Sequence, residues 1–343
     1  MRSLNSFSLL VTIGILSVAS RSFGPGPAPA RFEFSDLQMG TQFKIILYCD
    51  SSRAAILASS AFKRIAEIDA ITSDYRETSE LMSLCRAPAG SKIRISEDLF
   101  RVLERSQEMA ERSGGAFDVT IGPVVRLWRH ARRVGELPDR DRLARAMKLV
   151  GYQKLYLDRK SRTASLERTG MLIDLGGIAK GYAVDQAMAI LKKNGVTQAL
   201  IAAGGDILVS GAPPGTRGWV IEVISLEPAN GPKRELCLRD RAVSTSGDAQ
   251  QHVEIDGVRY SHIVDPKTGL GLTGRSTVTV VAADCTTSDA LATAAAVLGA
   301  ARGSKLVETT RGAAGLFAWA TDDGVLKVET NSWKREYRGH CKE

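Results

Sequence analysis

The spacing of hydrophobic residues along the chain predicts a mixture of helices and strands. Apolar residues recur every three or four positions over residues 54–71 and 96–112, the pattern of amphipathic helices, and Ser96 can cap the second. Short apolar runs rich in β-branched residues are typical of strands. We predict further helices over 140–149, 180–193 and 288–298, and strands over 43–49, 154–157, 164–166, 171–175, 198–202, 207–210, 219–224, 259–264 and 276–282.

The order of these elements favours an α+β fold. Strands and helices mix without the strict alternation that a doubly wound parallel sheet requires. The chain has 343 residues, of which 44% are hydrophobic, so it can bury a sizeable core. This composition excludes a disordered chain and a disulfide-dense miniprotein.

The first residues predict export. After Arg2, an apolar run over 7–18 leads to Val18-Ala19-Ser20, an acceptable cleavage triplet for a signal peptide. The run is shorter than the roughly 20 residues of a membrane span, although an uncleaved anchor is the alternative. We assign 1–20 to the signal peptide, 21–31 to a flexible Pro/Gly leader and 32–343 to one domain. The five cysteines have no C-x-x-C spacing, which favours buried thiols with room for one bridge.

The positive charge does not by itself identify a partner. The formal net charge is +8, and it is spread along the chain. The densest patch has four arginines within 126–133, a pattern that fits a solvated helix face better than a nucleic-acid surface. We therefore expect no nucleic acid, whereas an anionic small molecule suits the charge.

Residues 174–185, DLGGIAKGYAVD, form the clearest candidate site. A carboxylate ends a predicted strand, two glycines allow a close backbone approach, and Lys180 lies in the first turn of a predicted helix. Free N–H groups at such a helix start can bind an anion such as phosphate. Turns of this kind also occur where nothing binds, so the residues alone leave both interpretations open.

Asp289 and Thr293 form a second candidate site. They are four residues apart on a predicted helix, so their side chains share one face. A carboxylate and a hydroxyl make a partial oxygen site for a hard cation such as Mg²⁺. The alternative is that Asp289 stabilises the helix dipole and Thr293 packs.

His262 is the third candidate. It lies near the end of a predicted strand, before the turn of residues 265–269, where it can face a cleft and act as a general base. An ordinary surface or packing histidine is the alternative. Residues 243–248 (VSTSGD), 114–118 (GGAFD) and 204–206 (GGD) are each interpreted as turns.

Taken together and in this order, these segments resemble the ApbE family, the FAD:protein FMN transferases. The matching pieces are Met39-Gly40-Thr41, Tyr75 with Ser79-Glu80-Leu81, SGGAFD at 113–118, Gly122-Pro123, Leu127-Trp128, DLGGIAKGYAVD, GGDI at 204–207, VSTSGD, HIVDPKTG at 262–269 and DALATA at 289–294. They span about residues 36–300, nearly all of the predicted domain.

The resemblance implies both an activity and a fold. Members split FAD at its diphosphate, transfer FMN to a Thr or Ser hydroxyl of an acceptor protein and release AMP. They require Mg²⁺ and often act outside the cytoplasm on flavoprotein subunits of membrane redox complexes. The implied fold is two-lobed, T-fold-like α+β, with FAD in the cleft between the lobes. The oligomeric state is left open.

The resemblance also assigns roles to residues. It implies an FAD pocket lined by Met39, Tyr75, Ala116, Phe117, Asp118, Asp174, Lys180 and Ile263. It implies a Mg²⁺ site at Asp289 and Thr293 with the Gly177 carbonyl, and His262 as the base that deprotonates the acceptor. An acid that some members carry before this threonine is Ala292 here, which leaves the metal site with fewer carboxylates.

Two other functions use the same residues. An FAD pyrophosphatase would use water in place of the acceptor and yield FMN and AMP. A non-catalytic FAD-binding protein is the second alternative, although a carrier has no need of a general base. The sequence expectation is an exported transferase, periplasmic or attached to the outer face of the inner membrane.

Overall fold

The computed structural model describes residues 29–223, 226, 234–248, 251–321 and 324–337, so the predicted signal peptide lies outside the described residues. The strands are β1 (Ala30–Gln38), β2 (Thr41–Cys49), β3 (Ile93–Arg94), β4 (Leu155–Asp158), β5 (Thr163–Leu166), β6 (Ala199–Ala203), β7 (Asp206–Ser210), β8 (Trp219–Val223), β9 (Arg234–Leu238), β10 (Arg241–Gly247), β11 (His252–Ile255), β12 (Val258–Val264), β13 (Gly271–Thr273), β14 (Ser276–Ala282), β15 (Ala314–Thr321) and β16 (Gly324–Glu329). The helices are α1 (Ser51–Thr72), α2 (Glu80–Arg86), α3 (Glu97–Ser113), α4 (Gly122–Val134), α5 (Arg140–Met147), α6 (Ala179–Lys193), α7 (Cys285–Glu308) and α8 (Asn331–Glu336).

An antiparallel sheet forms the centre of the molecule, with strand order β1-β2-β6-β7-β10-β14-β15-β16. Strand β2 shows why both of its faces are covered. Side chains alternate across a strand, and Phe43, Ile45 and Leu47 are fully buried on one face while Ile46 is buried on the other. A sheet with apolar residues on both faces must pack on both sides.

Helices α1, α6 and α7 cover the first face and share its core with β2, β6 and β14. The β8–β9 ribbon and α8 cover the second face, where Trp219 and Trp333 are buried. Within the described part of the chain, α7 is the one helix long and apolar enough to cross a bilayer. Its Ala290, Leu291, Ala294 and Ala295 belong to the interior core, so it is a core helix.

A smaller lobe packs beside the main sheet. It contains α4, α5 and a three-stranded sheet, β11-β12-β13, around the buried Trp128. The indole Nε1 of Trp128 donates to the Gly269 carbonyl at 2.8 Å, which fixes the turn after β12 against α4. The predicted α+β class and two-lobed arrangement are therefore confirmed.

Most predicted elements are confirmed, and two predictions need correction. Residues 171–175 make a single bridge, between Leu172 and Ile121, in place of a strand. The predicted turn 243–248 is largely β10, a central strand whose buried Ser244 hydroxyl bonds Ser288 on α7 at 2.8 Å. The helix predicted over 288–298 is confirmed: it begins at Cys285, and the non-helical Gly299 (φ 71°) separates it from the second half of α7. The sequence does not predict strand β10 because its Ser and Thr side chains are polar, and their hydroxyls find hydrogen-bond partners only in the folded molecule.

The described cysteines behave as the sequence predicts. Cys49, Cys85 and Cys285 are free and buried, and burial raises the pKa of each thiol. Cys237, on β9, is disulfide-bonded.

Candidate active site

A cavity of about 880 Å³ lies between the main sheet with its helices and the wall formed by α4 and β12. Every residue to which the family resemblance assigns a role lines it. These are Met39, Tyr75, Ala116, Phe117, Asp118, Asp174, Gly177, Lys180, His262, Ile263, Asp289 and Thr293. Residues far apart in sequence thus meet at one place.

Glycine permits the close approach of the two helices that carry Lys180 and Asp289. A Cβ at Gly181 would lie 2.3 Å from the Cys285 carbonyl oxygen, so α6 and α7 could not approach so closely with a larger residue. The Gly181 amide donates to Asp289 Oδ2 at 3.1 Å. Lys180 lies in the first turn of α6, as predicted, and its side chain points toward the same carboxylate.

Two buried carboxylates share this lysine. Lys180 Nζ lies 2.7 Å from Asp206 Oδ2 and 3.6 Å from Asp289 Oδ2. Burial alone would lower the pKa of Lys180, but Asp206 and Asp289 raise it above the ordinary value. Burial, together with Asp206, raises the pKa of Asp289, and Lys180 opposes that shift. The cluster of Lys180, Asp206 and Asp289 therefore has one more carboxylate than cation.

The hydroxyls of Thr293 and Ser246 and the Gly177 backbone line the same cavity as this cluster. Thr293 Oγ1 lies 3.3 Å from Ser246 Oγ, and a Cβ at Gly177 would lie 3.0 Å from Thr293 Oγ1, which places the Gly177 backbone against that hydroxyl. Among the described residues, no group of three or more His, Cys, Asp or Glu side chains could hold a metal. The groups beside the cluster that could bind a metal are oxygen atoms. One carboxylate in excess over the lysine fits a hard cation such as Mg²⁺, whose other ligands would be hydroxyl, carbonyl, water or substrate oxygens.

His262 on β12 has the properties of a base. Its Nδ1 lies 3.1 Å from the Gln251 carbonyl oxygen, which can only accept, so the proton is assigned to Nδ1 and Nε2 has a free lone pair. Burial lowers the pKa of His262; the Gln251 carbonyl and Asp248 raise it, and Arg132 and Lys180 lower it further. The imidazole is therefore neutral near pH 7 and able to take a proton.

The segment 116–118 contributes an aromatic side chain to the cavity and a structural carboxylate beside it. Ala116 and Phe117 are buried, and the Phe117 ring comes close to Gly177. Asp118 accepts hydrogen bonds from Thr120 at Oδ1 and from the Tyr152 amide at Oδ2. Both oxygens of Asp118 thus fix the loop to its neighbours.

Tyr75 and Met39 lie at the cavity mouth. Met39 has φ 50° in the tight turn between β1 and β2, and Ile263 is buried in the opposite wall. Tyr75 is 75% exposed and has the Arg129 guanidinium against its ring. The arginine patch of 126–133 is solvated only in part: Arg126 and Arg133 are exposed, but Arg129 and Arg132 line the cavity. The prediction of a solvated helix face is wrong for those two.

Comparison with known proteins identifies the family. The chain matches the ApbE family over residues 39–317. It is 30% identical over 300 residues to the FAD:protein FMN transferase of Treponema pallidum, covering 82% of this chain and 83% of that protein. A Vibrio cholerae FAD:protein FMN transferase is 30% identical over 302 residues, covering 86% and 90%.

Solved structures agree. The flavin transferase ApbE from Vibrio cholerae superposes with a TM-score of 0.82 at 29% identity, covering 90% of this chain and 100% of that one. The apo form of the Pseudomonas stutzeri flavinyl transferase ApbE also gives 0.82, at 26% identity over 92% of this chain and 100% of that one. The fold is that of a flavin transferase. The chain belongs to the ApbE family.

Sequence reasoning missed two residues that shape the cavity. The sequence predicts only a turn at residues 204–206, whereas in the structure Asp206 is 3% exposed and its carboxylate pairs with Lys180. Arg129 was interpreted as part of a solvated patch. No local pattern distinguishes Arg129 from the exposed Arg126 and Arg133 of the same helix, since its position depends on contacts with Asp74 and Asp174.

Proposed function

We propose that this protein is an FAD:protein FMN transferase, which transfers FMN from FAD to a Thr or Ser hydroxyl of an acceptor flavoprotein and releases AMP. The observation that carries the proposal is that His262 and the Lys180–Asp206–Asp289 cluster line one cavity. A base and a site for diphosphate charge are what the transfer requires. Membership of the ApbE family supports it further.

The proposed reaction is a displacement at phosphorus. The acceptor hydroxyl oxygen attacks the phosphorus on the FMN side of the FAD diphosphate, and its proton passes to Nε2 of His262. The bond from that phosphorus to the bridging oxygen breaks, and AMP leaves with this oxygen and its electron pair. The new phosphoester joins FMN to the acceptor. Phosphoryl transfer needs positioning and charge neutralisation more than covalent help from the protein.

Asp289, Thr293 and the Gly177 carbonyl are the proposed Mg²⁺ ligands. When bound, Mg²⁺ would neutralise charge on the diphosphate and the leaving AMP. The excess carboxylate of the cluster and the oxygen-only donors support this assignment. The positive charge of Lys180 offsets one of the two carboxylates, so Asp206 and Asp289 can lie close together.

The remaining cavity residues are the proposed FAD pocket. Met39, Tyr75, Ala116, Phe117 and Ile263 offer apolar and aromatic surface for the flat rings of FAD. Asp174 Oδ1 accepts a hydrogen bond from the Gly176 amide at 2.8 Å, and this bond shapes the turn before Lys180. We assign Asp118 to the pocket as the residue that fixes its loop.

Export is part of the proposal. The apolar run over 7–18 and the cleavage triplet support a periplasmic protein, or one attached to the outer face of the inner membrane. A disulfide at Cys237 fits an oxidising compartment. The proposed acceptors are flavoprotein subunits of membrane redox complexes. Cell fractionation tests the location, and recovery in the cytoplasm would overturn it.

One incubation tests the activity. The protein is mixed with FAD, Mg²⁺ and a soluble flavin-acceptor domain, and acceptor mass and AMP are measured together. We expect a mass gain of one FMN with equimolar AMP, both lost with a chelator and with Asp289→Ala. Free FMN and AMP without a mass gain would indicate a pyrophosphatase. FAD that stays bound and intact would indicate a carrier.

A further inference from the structure

Arg129 on α4 joins three separate segments at the cavity wall. Its Nη1 donates to Asp74 Oδ2 at 2.5 Å, and its Nη2 donates to Asp174 Oδ2 at 2.8 Å. Asp74 follows α1, and Asp174 begins the turn that leads to Lys180. The guanidinium carbon lies 4.1 Å from the centroid of the Tyr75 ring. One planar side chain therefore contacts two carboxylates and one aromatic face.

The contacts with Asp74 and Asp174 are largely shielded from water. The side chains of Arg129, Asp74 and Asp174 are 24%, 15% and 12% exposed. Burial raises the pKa of Asp174, Asp74 raises it further, and Arg129 opposes both. Without the guanidinium, two carboxylates would face each other in a poorly solvated place, and the two segments would separate.

Tyr75 is a large aromatic residue at the cavity mouth, and it is 75% exposed to solvent. It belongs to the short connection between α1 and α2, outside any helix or strand. Its contact with Arg129 is a cation–π pair, which covers one face of the ring. The ring remains largely solvent-exposed, so it can stack on a flat ligand ring.

We propose that Arg129 is a positioning residue for FAD binding, which holds the Tyr75 ring as a stacking surface and fixes the Asp174 turn beside it. The proposal rests on the proposed function, because it names FAD as the ligand. Arg129 acts through Tyr75 and Asp174 and takes no part in the transfer of FMN. The fork of the guanidinium matters, since it bonds two carboxylates while lying flat against a ring, which lysine cannot do.

The test compares Arg129→Gln and Arg129→Lys with Arg133→Gln, which removes the same charge from an exposed site on the same helix. FAD binding is followed by flavin fluorescence, and the KM for FAD and kcat are measured with saturating acceptor. We expect Arg129→Gln to raise the Kd and KM for FAD about tenfold or more, as for loss of a cation–π contact and of charged hydrogen bonds to two carboxylates, and to leave kcat within about threefold. Arg129→Lys should recover part of the binding.

A double-mutant cycle with Tyr75→Leu tests the route through the ring. We expect the two effects on FAD binding to be clearly less than additive, since residues in contact couple. Additive effects, or a fall in kcat with an unchanged KM, would overturn the proposal. If Arg129→Gln does not fold, Asp74→Asn removes one end of the contact and should weaken FAD binding in the same direction. Unchanged binding would then overturn it.

The outcome for the unaltered protein separates the two proposals. If it binds FAD but transfers nothing, the proposed function fails while the fluorescence titrations still test Arg129. If it transfers FMN and Arg129→Gln behaves like Arg133→Gln, only the positioning role fails. If it does not bind FAD, both fail.

Discussion

At the scale of single residues, the proposed chemistry depends on His262 being neutral. Its Nδ1 is held by a carbonyl, and burial keeps its pKa below the ordinary 6.5. A group that removes a proton during the reaction contributes typically about 10²–10⁴-fold to the rate. We expect His262→Ala to lower the transfer rate by a factor in that range. FAD affinity, measured by fluorescence, should remain within about threefold, because the imidazole meets the acceptor hydroxyl.

The pH dependence of transfer should follow the same imidazole. The unprotonated form is active, so kcat/KM for the acceptor should rise with pH, with a midpoint below pH 6.5, and level off at higher pH. Arg132 and Lys180 lower this pKa, whereas the Gln251 carbonyl and Asp248 raise it. Arg132→Gln removes one lowering charge, so the midpoint should move to higher pH. Exposed Arg133→Gln is the control, and an equal shift there would contradict the assignment.

Lys180 should contribute to stability as well as to the site. Lys180→Met leaves Asp206 and Asp289 facing each other without a cation. We expect the free energy of unfolding to fall by about 2–3 kcal/mol, less than the 3–5 typical of a fully buried pair, because Lys180 is partly exposed. Urea unfolding measures this fall. Adding Asp206→Asn should restore part of the loss, and a double variant no more stable than the single one would contradict the explanation.

At the scale of elements, the contact between α6 and α7 sets the distance between Lys180 and Asp289. Gly181→Ala would place a methyl group against the Cys285 backbone and must push the helices apart. Overpacking of this kind costs about 1–3 kcal/mol. We expect a lower Tm and a higher Mg²⁺ requirement for transfer, since Asp289 moves with α7. Ala189→Ser, on the exposed face of α6, should change neither.

At the scale of the whole molecule, elements with local patterns could be predicted from the sequence. The helices α1 and α3 follow apolar spacing, and Ser96 caps α3 as expected, accepting from the Leu99 amide at 3.2 Å. The turn and the helix start predicted from the DLGGIAKG segment are also confirmed. These features depend on residues close in sequence, so a local pattern was sufficient.

What could not be predicted depends on contacts made only after folding. Strand β10 pairs with β7 and β14, and its hydroxyls are satisfied across the sheet and by α7. Asp206 becomes part of the cluster because Lys180 arrives from α6, 26 residues earlier in the chain. Arg129 faces the cavity because Asp74 and Asp174 lie there. The spacing of residues along the sequence does not predict these contacts. The resemblance to the family did identify the other cavity residues.

The position of the smaller lobe relative to the main sheet is the last property that the structure makes testable. Trp128 is 1% exposed and holds the turn after β12 through its bond to the Gly269 carbonyl. Trp128→Phe would leave that carbonyl without this donor and cost about 1–3 kcal/mol. Since α4 and β12 form one wall of the cavity, we expect both Tm and FAD affinity to fall.

Trp333→Phe is the matched control for this prediction. Trp333 is fully buried on the opposite face of the sheet, and its indole nitrogen has no hydrogen-bond partner among the described residues. Its loss should lower Tm through packing alone and leave the Kd for FAD unchanged. Calorimetry and fluorescence titration on both variants make the comparison. If the two variants weaken FAD binding equally, general destabilisation rather than the position of the α4–β12 wall controls the affinity.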